Sequence, residues 1–67
     1  MTHAELTVQK RAAHTIAKLI VAESELDRQA RDPHREQGDR ARYADAARQA
    51  RKAKRELEAF LRSIDGA

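Results

Sequence analysis

The sequence YADAARQARKAKRELEAFLRSI, residues 43–64, decides the fold of this chain. Within it, apolar and small residues recur at alternating steps of three and four, at Tyr43, Ala46, Ala50, Ala53, Leu57, Phe60 and Ile64. This spacing is typical of a helix that presents one narrow apolar stripe to a partner helix. The stretch therefore predicts a long helix that packs lengthwise against another helix.

The composition predicts an all-α protein. Ala, Arg, Glu, Lys, Leu and Gln, which are good helix formers, dominate the 67 residues, and there are only two glycines and one proline. Charged residues make up 37% of the chain and aromatic residues 3%, a balance that disordered proteins also show. The regular repeat favours a folded helix, because a disordered segment does not keep such a repeat over several turns.

A second helix is predicted upstream, over about residues 3–31. Thr2 and Glu5 have the spacing of a capping box, in which each side chain accepts a hydrogen bond from the backbone N–H of the other. The apolar residues of this helix span an arc of roughly 180°, wider than the stripe of about 100° that faces a single partner. One partner helix cannot cover that arc, so a second contact surface is expected. We predict that it is lined by Leu6, Ala13, Ile16, Ala17 and Ile20, together with Leu61 and Ala47 of the downstream helix.

Residues 32–39 are predicted to form the turn between the two helices. Pro33 disfavours helical geometry at the residue before it, so the first helix is expected to end just upstream. The second helix could begin with Asp32 as its N-cap and Pro33 at its first position, or later, at about Asp39. We prefer the later start, since the apolar stripe has no member before Tyr43.

Two helices of similar length, about 3–31 and 39–65, joined by a short turn are expected to fold back as an antiparallel hairpin. We treat residues 1–67 as a single domain. A chain this short buries only about 60% of its unfolded surface. Because the chain has no cysteine, neither a disulfide nor a thiolate metal site can add the stability that so small a core lacks. Dimerisation into a four-helix bundle would supply the missing burial; a monomer that completes its core on a larger complex is the alternative.

The outer face of the second helix is basic. Seven cations and a single acid, Asp45, lie between Arg40 and Arg55. Such a run could follow a phosphate backbone, or it could be an ordinary solvated face that acids of the first helix balance. Aromatic interleaving and a helix-turn-helix signature are both missing from the sequence. Nucleic-acid binding by this face is kept as the alternative function. The candidate contacts to nucleic acid, or to a protein partner, are Arg48, Arg51, Lys52, Arg55 and Arg62.

Two polar residues of the packed stripes have structural roles in this interpretation. Tyr43, at the turn end of its stripe, is expected to cap the core with its ring while its hydroxyl stays in water; stacking on a base or a partner is the alternative. Glu23 interrupts the apolar arc of the first helix. We expect it at the edge of the contact, paired with an arginine of the second helix or of another subunit, rather than as a buried catalytic carboxylate.

The sequence lacks the patterns expected of an enzyme or a metal site. Neither Ser24 nor Ser63 has a histidine at a neighbouring helical spacing, and no glycine-rich phosphate loop is present. His3 and His14 would stand about 16 Å apart along one helix, too far to share an ion. His34 lies in the turn and is expected to be a surface residue. We therefore expect no catalytic activity, no cofactor and no metal.

The sequence predicts only a class of function, because no motif indicates a specific activity. We expect a small protein–protein interaction or oligomerisation module, an adaptor or regulatory protein, that docks through its helix faces. Its expected partners are a second copy of itself and another protein, with neither a membrane nor a small-molecule substrate. The longest apolar run, residues 19–22, is far shorter than the roughly 18–20 residues of a membrane span. The N-terminus does not resemble a signal peptide, so the expected location is the cytoplasm.

Overall fold

Two α-helices account for most of the residues that the computed structural model describes, residues 2–65. Helix α1 spans His3–Ala30 and helix α2 spans Gln37–Asp65. The two helices pack against each other along their length as a hairpin, and the described part of the chain contains no strand. The predicted all-α helical hairpin is thus confirmed.

The start of α1 is fixed by the predicted capping box. The Thr2 hydroxyl accepts a hydrogen bond from the backbone N–H of Glu5 at 3.2 Å, and the Glu5 carboxylate accepts one from the backbone N–H of Thr2 at 3.4 Å. Thr2 has the extended backbone of an N-cap, with φ −80° and ψ 162°. Glu5 also places a negative charge at the positive end of the helix dipole. The helix ends at Ala30, within a residue of the predicted end, with Arg31 as its C-cap.

The turn uses Asp32 locally and not as a helix cap. Its carboxylate accepts a hydrogen bond from the backbone N–H of His34 at 2.9 Å, and its backbone carbonyl accepts one from Arg35 at 3.2 Å. Aspartate commonly closes such turns by bonding the backbone two residues ahead. Because the turn occupies Asp32, α2 begins only at Gln37, two residues before the later of the two predicted starts.

Gly38 lies in the first turn of α2 and can be replaced without strain. It does not have a positive φ angle, and a Cβ atom added to it would meet no atom within 4 Å. We expect Gly38→Ala to raise the free energy of unfolding by about 0.5 kcal/mol, because alanine has less backbone freedom to lose on folding. Urea denaturation of the two proteins at equal concentration measures this difference. A destabilised variant would show that the backbone at this residue is not helical.

The face of α2 that packs on α1 is rotated from the predicted stripe. Ala47, predicted on the second contact surface, is completely buried between the helices, so that prediction was wrong. Phe60, predicted within the stripe, is 44% exposed. The side chains of Arg51 and Lys54 are only 33% and 27% exposed, and both pair with Glu23 of α1. Long cationic side chains can bury their methylene groups while the charge stays near water. The packing face therefore includes residues that a pattern of apolar residues leaves out.

The hairpin is long and thin, with extents of 50 × 15 × 11 Å. Its radius of gyration is 15.4 Å, whereas a compact domain of this length would have about 11 Å. Its accessible surface is 5255 Å², roughly 1,000 Å² more than the value of about 4,300 Å² expected for a compact protein of this mass. Among the residues whose side chains are described, only Ala12 and Ala47 are buried. Two helices alone thus provide a very small core.

Candidate functional site

Large apolar side chains are exposed along α1. Leu6 is 42% exposed, Val8 43%, Ile20 50% and Val21 69%. Of the predicted second contact surface, Leu6, Ala13, Ala17 and Ile20 are exposed, whereas Ile16 and Leu61 are only partly exposed. Val21 was missed by the sequence prediction, although it follows Ala17 by four residues and so belongs to the same side of the helix.

The side of α1 that faces α2 is a regular stripe. None of its members is exposed, and they follow one another at alternating steps of three and four: Gln9, Ala12, Ile16, Leu19, Glu23, Leu26 and Ala30. This is the spacing of a helix that packs against one partner. Leu6, Ile20 and Val21 lie outside this stripe, and α2 leaves 42%, 50% and 69% of them exposed.

Charged side chains join the two helices near the middle of the hairpin. Arg51 donates to Glu23 at 3.2 Å and to Asp27 at 3.4 Å, and the Lys54 amine lies 3.6 Å from the Glu23 carboxylate. The Glu23 side chain is only 17% exposed. The predicted pairing of Glu23 with an arginine of the second helix is confirmed.

The basic face of α2 is partly neutralised. Arg51 is turned toward α1, and Arg48 donates to Asp45 at 2.7 Å in an exposed ion pair. This hydrogen bond and the charge of Arg48 hold the pKa of Asp45 below its usual value. The remaining three predicted contact residues are exposed and form no ion pair with any residue whose side chain is described; they are Lys52, Arg55 and Arg62.

A similar exposed pair lies near the end of α1. Arg28 donates to Glu25 at 2.7 Å, and Gln29 donates to the same oxygen at 2.9 Å. The hydrogen bond from Arg28, followed by the one from Gln29, lowers the pKa of Glu25 below its usual value. Both side chains of the ion pair are more than half exposed. Such surface pairs contribute little to stability.

Two arginines hold the turn in place. The Arg40 side chain donates to the backbone carbonyl of Ala30 at 2.9 Å and so satisfies one of the free carbonyls at the end of α1. The Arg35 guanidinium lies 5.0 Å from the centre of the Tyr43 ring, within the range of a cation–π contact. Tyr43 is half-buried beside the turn, the position predicted for a residue that caps the core. These arginines have structural partners and are not part of a free basic surface.

The best-formed depressions among the described residues are open to solvent. A depression of about 650 Å³ beside Glu25, Arg28 and Asp32 is open to solvent and lined largely by charged and polar side chains. Ligand sites are usually enclosed and mostly apolar. No group of three or more potential metal ligands occurs among the described residues.

Comparison with protein-family models, with characterised proteins and with solved structures found no match to this chain. Within residues 2–65, neither helix has the length and apolar character needed to cross a membrane. The function is therefore inferred from the surfaces of the hairpin itself.

Proposed function

We propose that this hairpin is a small non-enzymatic interaction module, an adaptor or regulatory protein of the cytoplasm, that pairs with a second copy of itself to form a four-helix assembly. One observation carries the proposal. The two helices bury only Ala12 and Ala47 among the described side chains, while Ile20 and Val21 are 50% and 69% exposed. An exposed apolar patch of this kind commonly marks a protein–protein contact.

The size of the uncovered surface supports pairing. The hairpin has roughly 1,000 Å² more surface than a compact protein of its mass would have. Each partner of a standard protein–protein interface buries about 800 Å². A second copy of the hairpin could therefore cover the excess without any rearrangement of the two helices.

Light scattering behind gel filtration tests the self-association. At tens of micromolar we expect the mass of a dimer, twice the 7.6 kDa of one chain. Dilution should shift the protein toward the monomer, because the exposed apolar residues are few. A monomer that stays fully helical at these concentrations would contradict the proposal and favour a hairpin that completes its core on a larger complex.

Nucleic-acid binding is a second candidate, favoured by the three exposed cations that have no partner among the described side chains, Lys52, Arg55 and Arg62. If they contact three phosphates, the affinity for duplex DNA should fall about 40-fold between 50 and 200 mM salt. Fluorescence anisotropy with labelled DNA and RNA measures this dependence. The variant Arg55→Glu with Arg62→Glu should abolish binding, whereas Arg28→Glu, an exposed arginine of α1, should weaken it much less. No binding at 50 mM salt would exclude this candidate.

A further inference from the structure

We infer that two copies of the chain pair antiparallel through a second stripe on α1, with Ala13 and Ala17 at its centre. The inference rests on the proposed self-association and names its interface. The stripe runs at alternating steps of four and three, and every member is exposed: Leu6, Lys10, Ala13, Ala17, Ile20 and Ser24. From Lys10 onward, each member directly follows a residue of the stripe that faces α2. The second stripe is therefore the first one turned by the 100° that separates successive residues of a helix.

The stripe is complementary to itself when two copies run in opposite directions. A pairing in which opposite residue numbers sum to about 30 places Ala13 against Ala17 of the other copy. It also places Leu6 against Ser24, so a large side chain meets a small one at each end. Alanine against alanine allows the two helix axes to approach closely, as the middle of such a contact requires.

Charge selects the antiparallel direction. Lys10 is the only charged residue in the stripe, and a parallel pairing would place it against its own copy. In the antiparallel pairing the two lysines stand about 15 Å apart along the axis. Lys10 then lies opposite Ile20, whose side chain its methylene groups can cover while the amine reaches water.

The exposed cations of α2, which include Arg55, explain why α1 should form the centre of this dimer. Successive residues of a helix turn by 100° about its axis. Ile20 and Asp27 therefore project from α1 in similar directions, and so do Arg51 and Arg55 from α2. The ion pair between Arg51 and Asp27 therefore places the second stripe and Arg55 on the same side of the hairpin. If the two hairpins stacked on this side with both helices in contact, the Arg55 side chains of the two copies would lie close together, and like charges repel. Packing α1 against α1 leaves each α2 on the outside, with its cations in water.

Disulfide cross-linking tests the direction and register, because the chain has no cysteine of its own. Chains carrying Ala13→Cys are mixed with chains carrying Ala17→Cys and oxidised. We expect a mixed dimer, identified by mass, since opposite Cβ atoms in a close contact approach the roughly 4 Å of a disulfide. Leu6→Cys alone should not cross-link, because its two copies would be about 27 Å apart. Efficient cross-linking of Leu6→Cys would instead indicate a parallel dimer and overturn the inference.

A charge substitution tests the face independently of oxidation. Ile20→Lys places two lysines opposite each other, so it should raise the dimer dissociation constant at least tenfold. Circular dichroism should show no loss of helix, because Ile20 is 50% exposed and lies outside the stripe that faces α2. Ala22→Lys is the matched control: it adds the same charge to an exposed residue on the other side of α1 and should leave the constant unchanged. If Ala22→Lys dissociates the dimer and Ile20→Lys does not, the copies pair through the opposite face, and the inference is wrong. If the unsubstituted protein is a monomer, the proposed self-association itself fails.

Discussion

Replacing Ala47 with arginine should unfold the hairpin. Ala47 is 0% exposed and lies on the face of α2 that packs on α1. An arginine there either pushes the helices apart or leaves its charge without water, and an uncompensated buried charge is among the largest destabilising effects known. A single small core rarely supplies more than about 3–5 kcal/mol, and we expect the substitution to remove about 3 kcal/mol or more of it. The helical signal in circular dichroism should be largely lost at 25 °C.

The control for this prediction is Ala41→Arg. Ala41 belongs to the same helix but is exposed, and its arginine would stand four residues from Asp45, a favourable spacing for an ion pair. We expect its thermal unfolding to differ little from that of the unsubstituted protein. Equal stability of the two variants would show that Ala47 does not lie at the contact between the helices.

Local signals in the sequence predicted the ends of the elements well. Thr2 and Glu5 form the expected capping box, because both partners of that motif lie within one turn. The turn after α1 was predicted from Pro33. The start of α2 was placed two residues late, since the carboxylate of Asp32 bonds His34 and closes the turn early. That choice depends on a local hydrogen bond that the spacing of apolar residues does not report.

The rotation of α2 could not be predicted from apolar spacing. The stripe from Tyr43 to Ile64 selects residues by their own hydrophobicity, and by that criterion Arg51 and Lys54 belong to the solvent. In the structure they face Glu23, because attraction across the interface and the burial of their stems compensate for the partial loss of water. Which cation meets which carboxylate depends on both helices together.

The exposed apolar surface was predicted, whereas what covers it stays a prediction. The width of the apolar arc on α1 required uncovered residues, and Leu6 and Ile20 are indeed exposed. The width of the apolar arc predicts exposed apolar surface, because one partner helix covers a stripe of only about 100°. The sequence of one chain cannot identify a different partner. It can show only whether the surfaces of the chain are complementary to each other.

Replacing Glu23 with glutamine should destabilise the hairpin by about 1–2 kcal/mol. The substitution keeps the size of the side chain but removes the charge that Arg51 and Lys54 share at 3.2 and 3.6 Å. Loss of one partner in a largely buried pair is costly, because the remaining charges stay partly desolvated. The cost is less than the full value for a buried pair, since Arg51 keeps Asp27 at 3.4 Å. Urea denaturation at one fixed protein concentration measures the difference.

Glu25→Gln makes the same chemical change two residues away and serves as the control. Glu25 pairs with Arg28 on the outside of the hairpin, with both side chains more than half exposed, so its removal should have little effect. Salt separates the two cases further. At 0.5 M salt any effect of Glu25→Gln should vanish, whereas most of the effect of Glu23→Gln should persist, because screening reaches partly buried pairs poorly. If the two substitutions have equal effects at both salt concentrations, the charges between the helices contribute no more than surface pairs.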